Sequence, residues 1–128
     1  MTDTEKITIN MSAVDLGKVD LLVQEGLYSN RTDFIRTAIR TQMDKHALEV
    51  QQSVARHAYG IGVFSYNRKE LERQKASGKK LRLTVLGLLT LSDDIPVRLA
   101  TEVIEAVEIR GVFHASPEIK AALADRIR

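Results

Sequence analysis

Lys6, Thr8 and Asn10 alternate with Ile7, Ile9 and Met11 near the start of the chain. A period of two puts the apolar three on one face of a strand and the polar three on the other. That polar face offers an ammonium, a hydroxyl and a carboxamide, all hydrogen-bonding groups. On its own, such a face is most often simply solvated. The strand is short and no second strand follows nearby, yet its backbone N–H and C=O groups need partners.

Catalytic and metal chemistry are thinly represented. The chain has no cysteine, which removes disulfides, thiolate metal sites and thiol nucleophiles. Its three histidines are His46, His57 and His114, and the first two lie eleven residues apart. That is about three helical turns, too far for shared ligation on one helix. No glycine-rich phosphate loop, G-x-S-x-G elbow or H-E-x-x-H occurs. Cap chemistry accounts for Asp93-Asp94. The expectation is no enzyme, no metal and no cofactor.

With 128 residues, 44% hydrophobic and 28% charged, the composition is that of one globular domain or two very small ones. No apolar run has membrane-helix length, and MTDTEK is no signal peptide, so a cytoplasmic protein without membrane contact is expected. A net charge of +2 does not mark a nucleic-acid binder. Its distribution is more telling. Residues 1–50 hold six basic and eight acidic side chains, whereas residues 68–82 hold seven basic and two acidic.

The first half reads as strand, helix, turn, helix. Ser12 or Ala13 opens a helix whose apolar stripe is Val14, Leu16, Val19, Leu22 and Val23. Gly26 ends it. Asn30 can cap the next helix, with Asp33 reaching back to it as in a capping box. Phe34, Ile35, Ala38 and Ile39 give that helix its apolar side. No proline or glycine interrupts residues 27–59, which lets the helix run past residue 50. One strand and two helices of this size cannot close a core. Two copies can, if the strands pair into a ribbon and four helices cover one face.

The segment "KITINMSAVDLGKVDLLVQEGLYSNRTDFIRTAIRTQM" (residues 6–43) resembles the ribbon-helix-helix domain of CopG-type bacterial transcriptional regulators. The resemblance covers about a third of the chain. Its most specific part is "GLYSNRTDFIRTAIR" (residues 26–40), close to the family's G-x-Y-S-x-R-S-E-x-I-R-x-A-I-R pattern. It implies an obligate homodimer whose ribbon enters the major groove of double-stranded DNA. It carries over Lys6, Thr8 and Asn10 as base-reading residues and Ser29, Asn30 and Arg31 as a phosphate clamp. The chemistry fits: lysine suits guanine, asparagine suits adenine, and threonine can meet a thymine methyl. Helix N-termini attract phosphate. The strand departs from the pattern in having no arginine, and the half is acidic. Modest affinity per dimer is therefore expected, raised by dimers binding side by side. Arg36 and Arg40 share one helix face and read as surface charges.

The second half repeats itself. "GVFSYNRKEL" (62–71), "GLLTLSDDI" (87–95) and "GVFHASPEI" (111–119) each start with glycine and two apolar residues. Their glycines are 25 and 24 residues apart. Asn67, Ser92 and Ser116 stand where helix caps belong, and Pro117 takes a first helical position. "LRLTVL" and "EAVEIR" precede the later glycines as strand-like stretches. The pattern predicts a three-rung β–α repeat, solenoid-like, with each glycine at a close approach of backbone between rungs. The fold class is thus α+β. Residues 1–45 form a ribbon-helix-helix DNA-binding domain and residues 46–59 a helical connector. Residues 60–128 form the repeat domain, for oligomerisation or for binding an effector or partner. In the connector, Ala47, Leu48, Val50, Val54 and Ala58 could form a seam between chains. The basic stretch 68–82 reads first as a solvated helix and turn, and second as a supplementary DNA or partner patch.

The expected function is a sequence-specific transcriptional regulator, with repression as its leading form. One alternative is an antitoxin that controls its own operon. The apolar, capped C-terminal half weighs against it, because antitoxin tails of this superfamily are usually short and disordered until bound. Another is an assembly protein stacking through its repeats into higher homo-oligomers. The charged ending "ADRIR" would blunt one end and weighs against that.

Overall fold

The computed structural model describes residues 4–128. Its elements run α1 (Ala13–Gln24), α2 (Arg31–Lys45), α3 (Ala47–His57), β1 (Gly60–Tyr66), α4 (Arg68–Ala76), β2 (Leu81–Leu91), α5 (Val97–Val103), β3 (Ile104–His114) and α6 (Pro117–Ala122). They form two compact units. One is Lys6–Ser53; the other runs from Val54 to Arg128 and includes Thr4 and Glu5.

In the first unit, Ser12 caps α1 by accepting from the Asp15 N–H at 3.1 Å. Gly26 stops the helix with φ +83, and the Leu27 N–H closes it on the Leu22 carbonyl at 3.1 Å. Residues 4–11 carry neither helix nor strand ladder in the single chain. A lone extended segment has nothing to pair with, so its alternation shows only in sequence. The second helix is shorter than the sequence suggests. It ends at Lys45, and His46 leaves the helical region at φ −107 and ψ 17 before α3 begins. Nothing in the residue types marks that break. At the far end of α3, Ala58 adopts φ +55, and the Tyr59 N–H bonds the Val54 carbonyl at 3.1 Å. This is the geometry of a helix stop normally given to glycine.

The second unit is a parallel sheet in the order β1-β2-β3. Leu83, Val85, Leu89 and Leu91 of β2 pack with Leu71 of α4, Val103 of α5 and Ile119 of α6 in one buried cluster. The other sheet face keeps Ile61 and Val63 exposed. Thr4 and Glu5 line a groove of about 340 Å³ there with Val63, Leu88 and Val112. The Glu5 carboxylate lies 3.5 Å from His114 Nε2.

The repeated glycines stand side by side: Gly62 pairs with Gly87, and Gly87 with Gly111. Their φ angles are +138, +140 and +128. A Cβ on Gly87 would fall 2.1 Å from the Gly62 carbonyl oxygen, and one on Gly111 would fall 2.1 Å from that of Gly87. Both conformation and space therefore demand glycine, as the sequence spacing suggests.

The caps divide. Asn67 and Glu70 form a full capping box on α4, and Ser116 caps α6 with Pro117 behind it. Ser92 does not cap α5, whose N-cap is Pro96 with no side-chain bond. Instead the Ser92 hydroxyl donates to Asp94. Asp94 in turn accepts the Arg68 N–H at 3.2 Å. The unpaired N–H at the start of α4 thus draws Asp94 across to the neighbouring helix, and Ser92 follows the carboxylate. These bonds, Ser92's foremost, hold the Asp94 carboxyl below its ordinary range. Lys75 of α4 reaches Glu102 of α5 at 2.6 Å, a second tie between the two helices.

Two substitutions should move stability in opposite directions. Gly87→Ala adds a backbone clash to strain of about 1–3 kcal/mol at positive φ and should lower the urea midpoint markedly. Ala58→Gly relieves a left-handed alanine and should raise stability by about 1 kcal/mol.

Candidate nucleic-acid interface

Lys6, Thr8 and Asn10 are all exposed, in the segment directly before the Ser12 cap. So are their alternating neighbours: Ile7 is 71% accessible, Ile9 57% and Met11 38%. Val19 is the one buried side chain in Lys6–Ser53. A groove of about 300 Å³ between Met11, Val19, Leu22 and Phe34 remains unfilled. A unit that buries one side chain cannot offset its chain entropy by itself. Its apolar surface requires a cover from outside.

Ser29, Asn30 and Arg31 come together at the start of α2, and each is already engaged. Asn30 Oδ1 accepts from the Asp33 N–H at 2.8 Å. The Ser29 N–H and hydroxyl donate to Asp33 Oδ2 at 3.0 and 3.1 Å. The Asp33 carboxylate therefore reaches back to Ser29, one residue earlier than a capping box places it. The Asn30 carbonyl accepts the Phe34 N–H at 3.2 Å, the first backbone bond of α2. An edge-to-face contact between Tyr28 and Phe34, 5.0 Å between centroids, fixes the loop over this turn.

Arg31 is gripped by Asp20 of α1. Its Nε and Nη2 donate to the two carboxylate oxygens at 2.7 and 2.8 Å. Of five guanidinium N–H donors this geometry uses two, so the rest can still face an outside anion. The Arg31 bond and charge hold the Asp20 carboxyl below its ordinary range. Sequence reasoning missed Asp20. It lies eleven residues before Arg31 on another helix, and no helical period links the two.

These positions together define a class: an exposed polar and apolar alternation, then two capped helices, followed along the chain by a unit with a parallel sheet. The description of the ribbon-helix-helix transcriptional regulator family matches residues 2–120, nearly the whole chain. The chain belongs to that family. The match runs through the C-terminal repeats as well as the N-terminal third that shows the resemblance in sequence. Comparison with curated proteins and with solved structures found no match. Among the described residues, no helix is long and apolar enough to cross a membrane. Nor do three His, Cys, Asp or Glu side chains among them cluster as metal ligands.

Asn30→Ala should cost about 1 kcal/mol through loss of the α2 cap, read by urea unfolding. The Asp20–Arg31 bond has a defined pH window. Because the folded pKa of Asp20 is lowered, its contribution is complete above the unfolded value and is lost as pH falls through the folded one. The stability gap between the wild type and Asp20→Asn should therefore close in acid and stay constant at neutral pH.

Proposed function

We propose that the protein is a sequence-specific DNA-binding repressor that acts as a homodimer of the CopG type. Residues 6–11 of two chains pair as an antiparallel ribbon. Ile7, Ile9 and Met11 turn onto the helices, and Lys6, Thr8 and Asn10 enter the major groove as base-reading residues. Ser29, Asn30 and Arg31 meet the phosphates beside it. The observation that supports this most directly is the exposed Ile7, Ile9 and Met11 in a unit with one buried side chain. Pairing covers them and leaves the polar three outward. Residues 1–45 then form the DNA-binding domain, 46–59 the connector, and 60–128 a solenoid-like repeat domain. The site of action is the cytoplasm, where the operator lies.

Asp20 tempers the phosphate contact, since its carboxylate competes with DNA for Arg31. The antitoxin reading is weaker, because Leu71, Leu89, Ile104 and Leu123 are fully buried in a C-terminal core of its own.

Binding to DNA from the protein's own upstream region, against random DNA at two salt concentrations, tests this reading. The Lys6→Ala/Thr8→Ala/Asn10→Ala variant should keep its dimer and lose sequence preference, at about 1–3 kcal/mol per good bidentate contact. Arg31→Ala should weaken binding to every sequence alike and reduce the salt slope by about one. Asp20→Asn should strengthen binding to every sequence. Equal, weak binding to both DNAs, unchanged in the triple variant, would contradict the proposal.

A further inference from the structure

The two edges of the C-terminal sheet match each other. β1 is one edge strand and β3 the other. β1 covers only the later part of β2, from Gly60 opposite Val85 to Tyr66 opposite Leu91. In the next pairing Val85 faces Ile109 and Thr90 faces His114. The part of β3 that corresponds to β1's footprint therefore begins at Ile109. On its outer side, β3 bonds residues 126 and 128 at Val107, just before that footprint. No strand of the described residues covers Ile109–His114 on that side. The Arg110 guanidinium lies across the edge, donating to the Ile109 carbonyl at 3.2 Å.

Gly62 supplies a second observation. It has the same left-handed backbone as Gly87 and Gly111. At those two, the space of a Cβ is filled by the preceding strand's glycine carbonyl at 2.1 Å. Among the described residues, the one group that a Cβ on Gly62 would meet within 4 Å is the Phe64 ring, at 4.0 Å. Gly62 thus has the backbone of a seat for a neighbouring glycine carbonyl, and no described strand supplies that carbonyl. Gly62 directs its carbonyl to Gly87, and Gly87 directs its own to Gly111. Repeating that geometry turns the Gly111 carbonyl toward the open edge of β3.

We infer that the β1 edge of one copy pairs in parallel with the Ile109–His114 edge of a second copy. Gly62 then sits against Gly111, Gly60 against Ile109 and Ser65 against His114. The apolar rows Val63–Leu88–Val112 and Phe64–Leu89–Phe113 continue from copy to copy. Ile61 and Val63, 66% and 50% accessible in the single chain, gain Arg110 and Val112 of the second copy as flanking neighbours. The Arg110 side chain swings off the Ile109 carbonyl as the strands join. A second copy is the fitting occupant because it carries the kinked glycine at the matching register. The contact is head-to-tail, so it builds rings or open rows rather than closing as a pair. It uses no DNA-contacting residue, so its failure would leave the regulator reading untouched.

Disulfide trapping tests it in the full chain, which has no cysteine of its own. Ser65→Cys and His114→Cys are combined. Within one chain these positions are separated by β2, roughly 10 Å or two strand spacings. That exceeds the about 7 Å between Cα atoms that a disulfide can bridge. Oxidation without DNA should give a ladder of linked oligomers that lengthens with concentration. Each single variant should give linked dimers at most. Adding Val63→Lys should abolish the ladder without loss of circular dichroism. Sedimentation of the wild type should show mass rising beyond a dimer, and this decides the matter if the double variant does not fold. No ladder, a ladder that survives Val63→Lys, or a mass that stays constant with concentration would overturn the inference.

Discussion

The demand of the backbone at residues 6–11 for hydrogen-bond partners is the constraint on which the N-terminal half depends. A segment outside any helix or strand, beside exposed Ile7 and Ile9, has two needs. It needs hydrogen-bond partners, and it needs a cover for its apolar side. In the proposed dimer, pairing with a symmetry mate would meet both at once and would leave Lys6, Thr8 and Asn10 on a surface narrow enough for a major groove. The same step that completes the fold would therefore create the recognition surface, and folding and DNA reading become one equilibrium.

The C-terminal half is governed differently. Its strands run parallel, its helices lie on one face, and its core is closed within the chain. Three glycines in register set how the strands bend together, and bulk at Gly87 or Gly111 is excluded by backbone rather than by side chains. Ties within this unit, Asp94 to the start of α4 and Glu102 of α5 to Lys75 of α4, then lock neighbouring elements. Among the described residues, the one-sided cover leaves one sheet face without helices and the β1 and Ile109–His114 edges without a partner strand, unusual for parallel sheets, which are mostly buried on both faces.

Much of this is legible from sequence where the signal is local. Gly26, Asn30, Asn67 and Ser116 do what their types suggest, because caps and stops depend on a few neighbouring backbone groups. The glycine spacing carries the repeat, because close backbone approach leaves few other residues possible. Ser92 misleads because it follows Asp94, which is held by the Arg68 N–H, distant in sequence. The α2 break at His46 and the left-handed Ala58 carry no residue signature at all. The family pattern points to Ser29, Asn30 and Arg31. Its acidic position falls on Asp33, which the structure finds on Ser29, and it is silent on Asp20, which holds Arg31.

Amide hydrogen exchange at residues 6–11, followed against protein concentration, tests the central claim most directly. A paired ribbon protects alternate amides, because each strand bonds its mate along one edge. The account predicts strong protection of every second amide at high concentration, lost together as dilution dissociates the pair. Fast exchange at all six positions, at every concentration, would show that the segment has no partner strand and would contradict the ribbon.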